Sequence, residues 1–266
     1  MNPYDLLSLH LWGFTPASWA IFGTAVFIVG FSKTGIPGIT ILAVPLAAMV
    51  LPPKISVGVL LPIYMCADVV SVFNYFRHAR LAYCLPYLLF VGVGVLAAGL
   101  LVGWMTDANF GVLIGWTVLG LLTFSFVSER VSSRKAGKDS AELPPVPKPP
   151  LREAAFFGCL VGLFSALANA AGPVSSLYLV RGRLPKYEFL GTTAVCAFAL
   201  NWIKIPLFVA NRMITADTLK LCLASLPVIA LGGLAGVLVA RRIPQKSFKT
   251  LVLVLAFIAS VKLIVG

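Results

Sequence analysis

Stretches of about 20 apolar residues, the length a helix needs to cross the hydrocarbon of a bilayer, recur along this chain and are divided only at charged or proline-rich breaks. Backbone N–H and C=O groups at that depth must be satisfied within the fold, which for segments of this length points to helices. The expected fold is an all-α integral membrane protein, a polytopic helical bundle. Its segments read as 17–33, 36–51, 55–76, 82–105 and 109–127, then 152–169, 172–181, 187–209, 217–240 and 246–265. Composition agrees, with 59% of the 266 residues hydrophobic and 11% charged, against roughly half and a quarter in soluble domains. A formal net charge of +12 would suit nucleic acid if the basic residues clustered on a solvated polar face. Here they punctuate apolar runs, so membrane lipid is the expected partner and nucleic acid is not.

The N-terminus, Met1 to His10, has neither a basic n-region nor a small-residue cleavage site, so the first membrane segment is expected to be kept. Cys66, Cys84, Cys159, Cys196 and Cys222 are scattered through apolar segments without disulfide or metal spacing and read as small core hydrophobes. His10 and His78 lack carboxylate or cysteine neighbours at ligand spacing, so no metal and no cofactor are expected.

Residues 128–150 are polar and proline-rich, too charged to be buried, and read as a loop or flexible linker. They divide the chain into an N-terminal repeat (1–127), a cytoplasmic linker (128–150) and a C-terminal repeat (151–266). Sliding one half on the other by about 132 to 138 positions puts Phe31-Ser32 on Phe164-Ser165, Pro37-Gly38 near Gly172-Pro173, Pro53-Lys54 on Pro185-Lys186, Asp68 on Asn201 and Gly99 near Gly236. The common order suggests a duplication of the kind transporters keep. With the linker cytoplasmic, fifteen of the 21 basic residues fall on that side, four outside, and two, Lys33 and Lys204, within the membrane. The Pro53-Lys54 turn is then outside and its counterpart Pro185-Lys186 inside, so the two repeats are expected to be inverted.

In each half the first two segments meet without a polar loop, at Ser32-Lys33-Thr34-Gly35-Ile36-Pro37-Gly38 and at Asn169-Ala170-Ala171-Gly172-Pro173. Glycine and proline interrupt the helical ladder there, and unpaired backbone groups at membrane depth are tolerated only against protein or a wet cavity. Each repeat is expected to carry such a broken or re-entrant hairpin; 172–181 is too short to span, and 36–51, with Pro45 inside it, re-enters or spans. Helices that begin at a break point free N–H groups and a positive dipole end into it, an arrangement that binds anions. Ser32, Lys33, Thr34, Gly35, Pro37, Gly38, Asn169, Ala170, Gly172, Pro173, Ser175, Asn201 and Lys204 are the candidate substrate-binding residues, with an anion as the compensation for Lys33. The competing reading is that Lys33 snorkels to an interface and the glycines serve packing. Asp68 and Lys204, on the third segment of each half, either form a structural ion pair or act in the site, with Asp68 taking up the coupling proton or cation. Gly92/Gly94, Gly99/Gly103, Gly111/Gly115 and Gly232/Gly236 read as helix packing. Trp12, Trp19, Trp104 and Tyr187 suit an aromatic belt, and Arg77, Arg80, Arg181 and Arg183 read as orientation signals.

The stretch Gly30-Phe-Ser-Lys-Thr-Gly-Ile-Pro-Gly38, the Pro53-Lys54 turn, the Asp68 region ending in Asn74-Tyr-Phe-Arg77, and Asn169-Ala-Ala-Gly-Pro173 resemble the TauE/SafE sulfite exporter family, also called the toluenesulfonate uptake permease family. The resemblance covers most of the chain apart from the first dozen residues and the linker. It implies a carrier in the bacterial cytoplasmic (inner) membrane for sulfur-containing anions such as sulfite, sulfoacetate and aryl or alkyl sulfonates, in either direction. The second break carries no lysine, which suggests a substrate held from one side with Asn169 as an amide donor. Phe31, Phe164, Tyr64 and Tyr178 lie near in sequence and could accept an organic tail. A sulfonate offers three acceptor oxygens and one delocalised charge, suited to several N–H donors and one ammonium. An anion channel is the alternative, and a membrane-embedded enzyme the remoter one, since no histidine sits with a nucleophile. A homodimer stays open.

Overall fold

The computed structural model of the chain describes residues 14–34, 39–135, 150–239, 257–258 and 260–265. Nine α-helices are defined among them: α1 (Pro16–Thr34), α2 (Ala43–Ala48, entered through a 3-10 turn at Ile39–Leu42), α3 (Pro53–Tyr75), α4 (Leu81–Trp104), α5 (Asp107–Lys135), α6 (Leu151–Ala168), α7 (Gly172–Arg181), α8 (Lys186–Ala210) and α9 (Ala216–Val239). Residues 257–258 and 260–265 are also helical, while most of the expected 246–265 segment lies outside the described residues. Seven of the described helices are long and apolar enough to cross a membrane. The chain is a multi-pass helical membrane protein.

Proline marks where helices begin: Pro53 and Pro173 stand in the first turns of α3 and α7, and Pro150 and Pro185 immediately precede α6 and α8. A missing N–H costs nothing at those positions. One expected boundary shifts. Residues 128–135, read above as part of a loop, continue α5 to Lys135, because this stretch holds Glu, Arg and Lys, all good helix formers, and meets its first glycine only at Gly137. The rest of the linker, 136–149, lies outside the described residues.

Small residues let the helices touch backbone to backbone. A side chain at Gly94 would run into the Cys159 carbonyl, and one at Gly162 into the Val91 carbonyl, so α4 and α6 lie in direct contact. Gly30 and Gly232 do the same between α1 and α9. Tyr87 faces Gly158 and Val91 faces Gly162, so α4 and α6 run in parallel. In contrast, α3 and α8 are antiparallel: Gly58 meets Met213, Asp68 meets Asn201, and Tyr75 meets Gly191. Large side chains on the outer faces stay exposed, as with Leu85, Leu89, Leu96 and Leu100 along α4, where lipid replaces water. Trp19, Trp104 and Tyr187 are exposed near helix ends, while Trp12 lies outside the described residues.

Two ends of the bundle follow from these directions. On the linker side lie Pro150, the end of α3 and the starts of α4 and α8; there Arg80 grips Glu188 through two hydrogen bonds of 2.7 and 2.6 Å. Arg181, the last residue of α7, reaches Glu153 in the first turn of α6 at 3.5 Å. Thus α7 folds back along α6 and ends where α6 began. On the far side, Lys54 at the start of α3 donates its backbone N–H to Asp107 at the start of α5.

Candidate functional site

Asn169 makes the break between α6 and α7. Its backbone is left-handed (φ 48°), a conformation that asparagine tolerates better than other side-chain-bearing residues, and its N–H caps α6 on the Ser165 carbonyl at 2.9 Å. The side chain is thereby aimed inward. Its amide donates to the Val57 carbonyl of α3 at 3.0 Å and its Oδ1 accepts from Lys204 Nζ of α8 at 2.6 Å. Lys204 also points at the Ser165 carbonyl, 3.5 Å away, and sits 5.7 Å from the centre of the Phe208 ring. It is 1% exposed. Its hydrogen-bond acceptors are both neutral.

Lys33, by contrast, has a counter-ion. Its ammonium donates to Asp68 Oδ1 on α3, and Asn201 of α8 donates to Asp68 Oδ2 at 2.6 Å. The Asp68 side chain is fully buried and that of Lys33 about a fifth exposed (22%). Of the two alternatives for Asp68 and Lys204, the structural ion pair is not formed among the described residues, where Asp68 pairs with Lys33. The last turn of α1 brings Lys33 to the face of α3 that carries Asp68, while Asn169 takes up Lys204. Both pairings span 35 residues, one in each half, with the cation on the broken helix in the first and on the third helix in the second.

These groups line one cavity of about 540 Å³. Of the expected site residues, Ser32, Lys33, Asp68, Asn169, Gly172, Pro173, Ser175, Asn201 and Lys204 are all in its wall. Ala170 is instead buried in the apolar core, and Ala171 takes its place in the wall. Thr34 ends α1, and Gly35, Pro37 and Gly38 lie outside the described residues. Gly172 opens α7 onto free space, with nothing within 4 Å of where a side chain would begin. Pro173 offers no N–H, leaving the Gly172 and Val174 amides of that first turn facing the break.

The aromatic wall differs from expectation. Tyr64 contributes, but Phe31 and Phe164 do not, and Tyr178 stands behind Tyr87, which does. The two tyrosine rings stack with centroids 4.8 Å apart, and the Tyr87 hydroxyl is 3.1 Å from Ser175 Oγ. Tyr87 was not foreseen, because nothing in the apolar run of α4 distinguishes a cavity-facing tyrosine from a packed one. The cavity reaches along α3 from Tyr64 to Tyr75 and along α8 from Lys204 to Leu190, toward the linker side. The other half of α3 is packed shut, with Ile55 through Leu61 buried.

The sequence model of the family described as "Sulfite exporter TauE/SafE" matches residues 22–263, which takes in every element of this cavity. The chain belongs to the sulfite exporter TauE/SafE family. It is thus a transmembrane transporter of a sulfur-anion family. No curated protein and no solved structure matches the chain.

Proposed function

We propose that this TauE/SafE protein is a secondary carrier that binds one singly charged sulfur-containing anion, hydrogensulfite or an organosulfonate, between Lys204, Asn169 and the start of α7, and moves it across the bacterial cytoplasmic membrane by alternating access. The observation that carries this is Lys204, a buried lysine on the cavity wall whose hydrogen-bond acceptors among the described residues are an amide oxygen and a backbone carbonyl, with the Asp68 carboxylate already paired to Lys33. A buried charge needs a counter-charge or pays heavily in desolvation. In charged form the two lysines and one aspartate among the described residues of the wall leave one positive charge over, which a monoanion cancels. Lys33 then serves chiefly to hold Asp68, and Asp68 is the group that takes up the coupling proton.

Inverted repeats support alternating access. Helix packing is reciprocal between the halves: α4 with α6 answers α1 with α9, α4 with α8 answers α3 with α9, and α3 packs on its own counterpart α8. At ten residues, α7 is about 15 Å long, half the hydrocarbon thickness. Its return to the start of α6 suits a re-entrant hairpin. A cavity confined to the linker-side half of α3, with Ile55 through Leu61 of the other half buried, favours a carrier over a channel.

The test is thermal denaturation of purified protein with sulfite, thiosulfate, sulfate, sulfoacetate and toluenesulfonate, since a ligand of the folded state raises the melting temperature. Sulfite or the sulfonates should raise it, and Lys204→Met should sharply reduce the rise at the same ligand concentration. A panel in which no sulfur anion shifts the transition rejects the reading.

A further inference from the structure

Four of the five cysteines stand in facing pairs, each joining a helix of the first half to one of the second. Cys84 of α4 and Cys196 of α8 are both buried, with sulfurs 3.1 Å apart. Cys66 of α3 stands beside Cys222 of α9. Of these four, Cys196 alone lines the cavity. Cys84 lies one turn before Tyr87, whose hydroxyl meets Ser175 of α7, and Tyr178 of α7 donates to the Tyr83 carbonyl at 3.2 Å. The Cys84–Cys196 contact therefore sits where α4, α7 and α8 converge on the cavity.

We propose that Cys84 and Cys196 form a dithiol modification site for a small two-electron oxidant of the peroxide class, and that their disulfide fastens α4 to α8 beside the anion cavity. A disulfide holds its sulfurs at about 2.05 Å, so roughly 1 Å of closure completes it. Buried thiols in apolar surroundings are ordinarily inert; the cavity gives a water-sized oxidant its path to Cys196. The Cys196 sulfur, the S–H donor of the pair, attacks one peroxide oxygen as its proton passes to water. The O–O bond breaks, hydroxide leaves and is protonated to water, and Cys196 becomes a sulfenic acid. The Cys84 thiolate attacks that sulfur, the S–O bond breaks, and a second water forms. Two thiols are oxidised by two electrons and hydrogen peroxide is reduced to two waters; a dithiol reductant reverses the change by exchange.

The bond ties the first half to the second at the open end of the cavity, so a carrier that must move its halves stops. Formation of the bond does not rest on the carrier reading; its effect on flux does. The experiment treats the purified full chain with hydrogen peroxide, blocks remaining thiols, maps disulfides by non-reducing peptide mass spectrometry, and follows sulfite and toluenesulfonate flux after reconstitution. A Cys84–Cys196 peptide is expected before any Cys66–Cys222 peptide, with most of the flux lost and recovered in dithiothreitol. The Cys66→Ser/Cys222→Ser variant should behave like the wild type, and Cys84→Ser, whose sulfur lies outside the cavity wall, should give no cross-link. Absence of the Cys84–Cys196 peptide from wild-type protein overturns the proposal whether or not the variants fold, as does full cross-linking with flux unchanged. A bond that forms in protein without flux in either state supports the dithiol site and counts against the carrier.

Discussion

At the scale of single residues, the two intramembrane lysines divide their labour. Lys33 is neutralised by a carboxylate within the fold, whereas Lys204 is held by an amide and a carbonyl. A charge-assisted hydrogen bond contributes about 1.5–3 kcal/mol, so Lys204→Met is expected to weaken anion binding by roughly tenfold to a hundredfold, as titration calorimetry can measure. Asn169→Asp keeps the left-handed turn and supplies Lys204 with an internal counter-ion, while giving up the amide's hydrogen bond to the Val57 carbonyl; it should abolish anion binding in protein that still folds, at a somewhat lower melting temperature. Asp68→Asn removes the one negative charge, leaving two positive ones. That variant should bind sulfate, a dianion, more tightly than the wild type does and lose the pH dependence of uptake. Unchanged sulfate affinity would contradict the charge arithmetic.

At the scale of elements, the breaks and the glycines do different work. Asn169 and Gly172 shape the half-length helix whose first turn faces the cavity, while Gly94, Gly158 and Gly162 let α4 and α6 close on each other. Overpacking such a contact costs about 1–3 kcal/mol, and here the obstructing atoms are backbone, which cannot rotate away. Gly162→Leu should therefore lower the melting temperature by several degrees, while Gly92→Ala, whose added methyl meets empty space, should not. Sequence spacing marked Gly92 and Gly94 alike as packing glycines; only the neighbouring helix distinguishes them.

For the whole molecule, the sealed half of α3 and the open half predict opposite accessibilities. In a background without reactive native thiols, Tyr75→Cys should react with a membrane-impermeant thiol reagent added from the linker side, and Leu61→Cys should not. If both react equally from that side, the seal described here is absent. Reciprocal packing of the two halves further predicts that a state sealed on the linker side exists, in which this pattern reverses.

The helical membrane fold, the break after α6, and the charged residues and asparagines of the cavity wall were legible in the sequence. Runs of apolar residues, prolines at helix starts and isolated charges act locally, through backbone satisfaction and desolvation, and such effects leave marks along the chain. Which charge met which was not legible. Lys33 pairs with Asp68, and Lys204 with Asn169, because α1, α3, α6 and α8 cross at particular heights, and a helix repeats its faces too often for spacing alone to select a partner. Tyr87 in the wall, Ala171 in place of Ala170, and the meeting of Cys84 with Cys196 were decided the same way. Each depends on which side of a uniformly apolar helix turns toward its neighbours, and only the packed bundle sets that rotation.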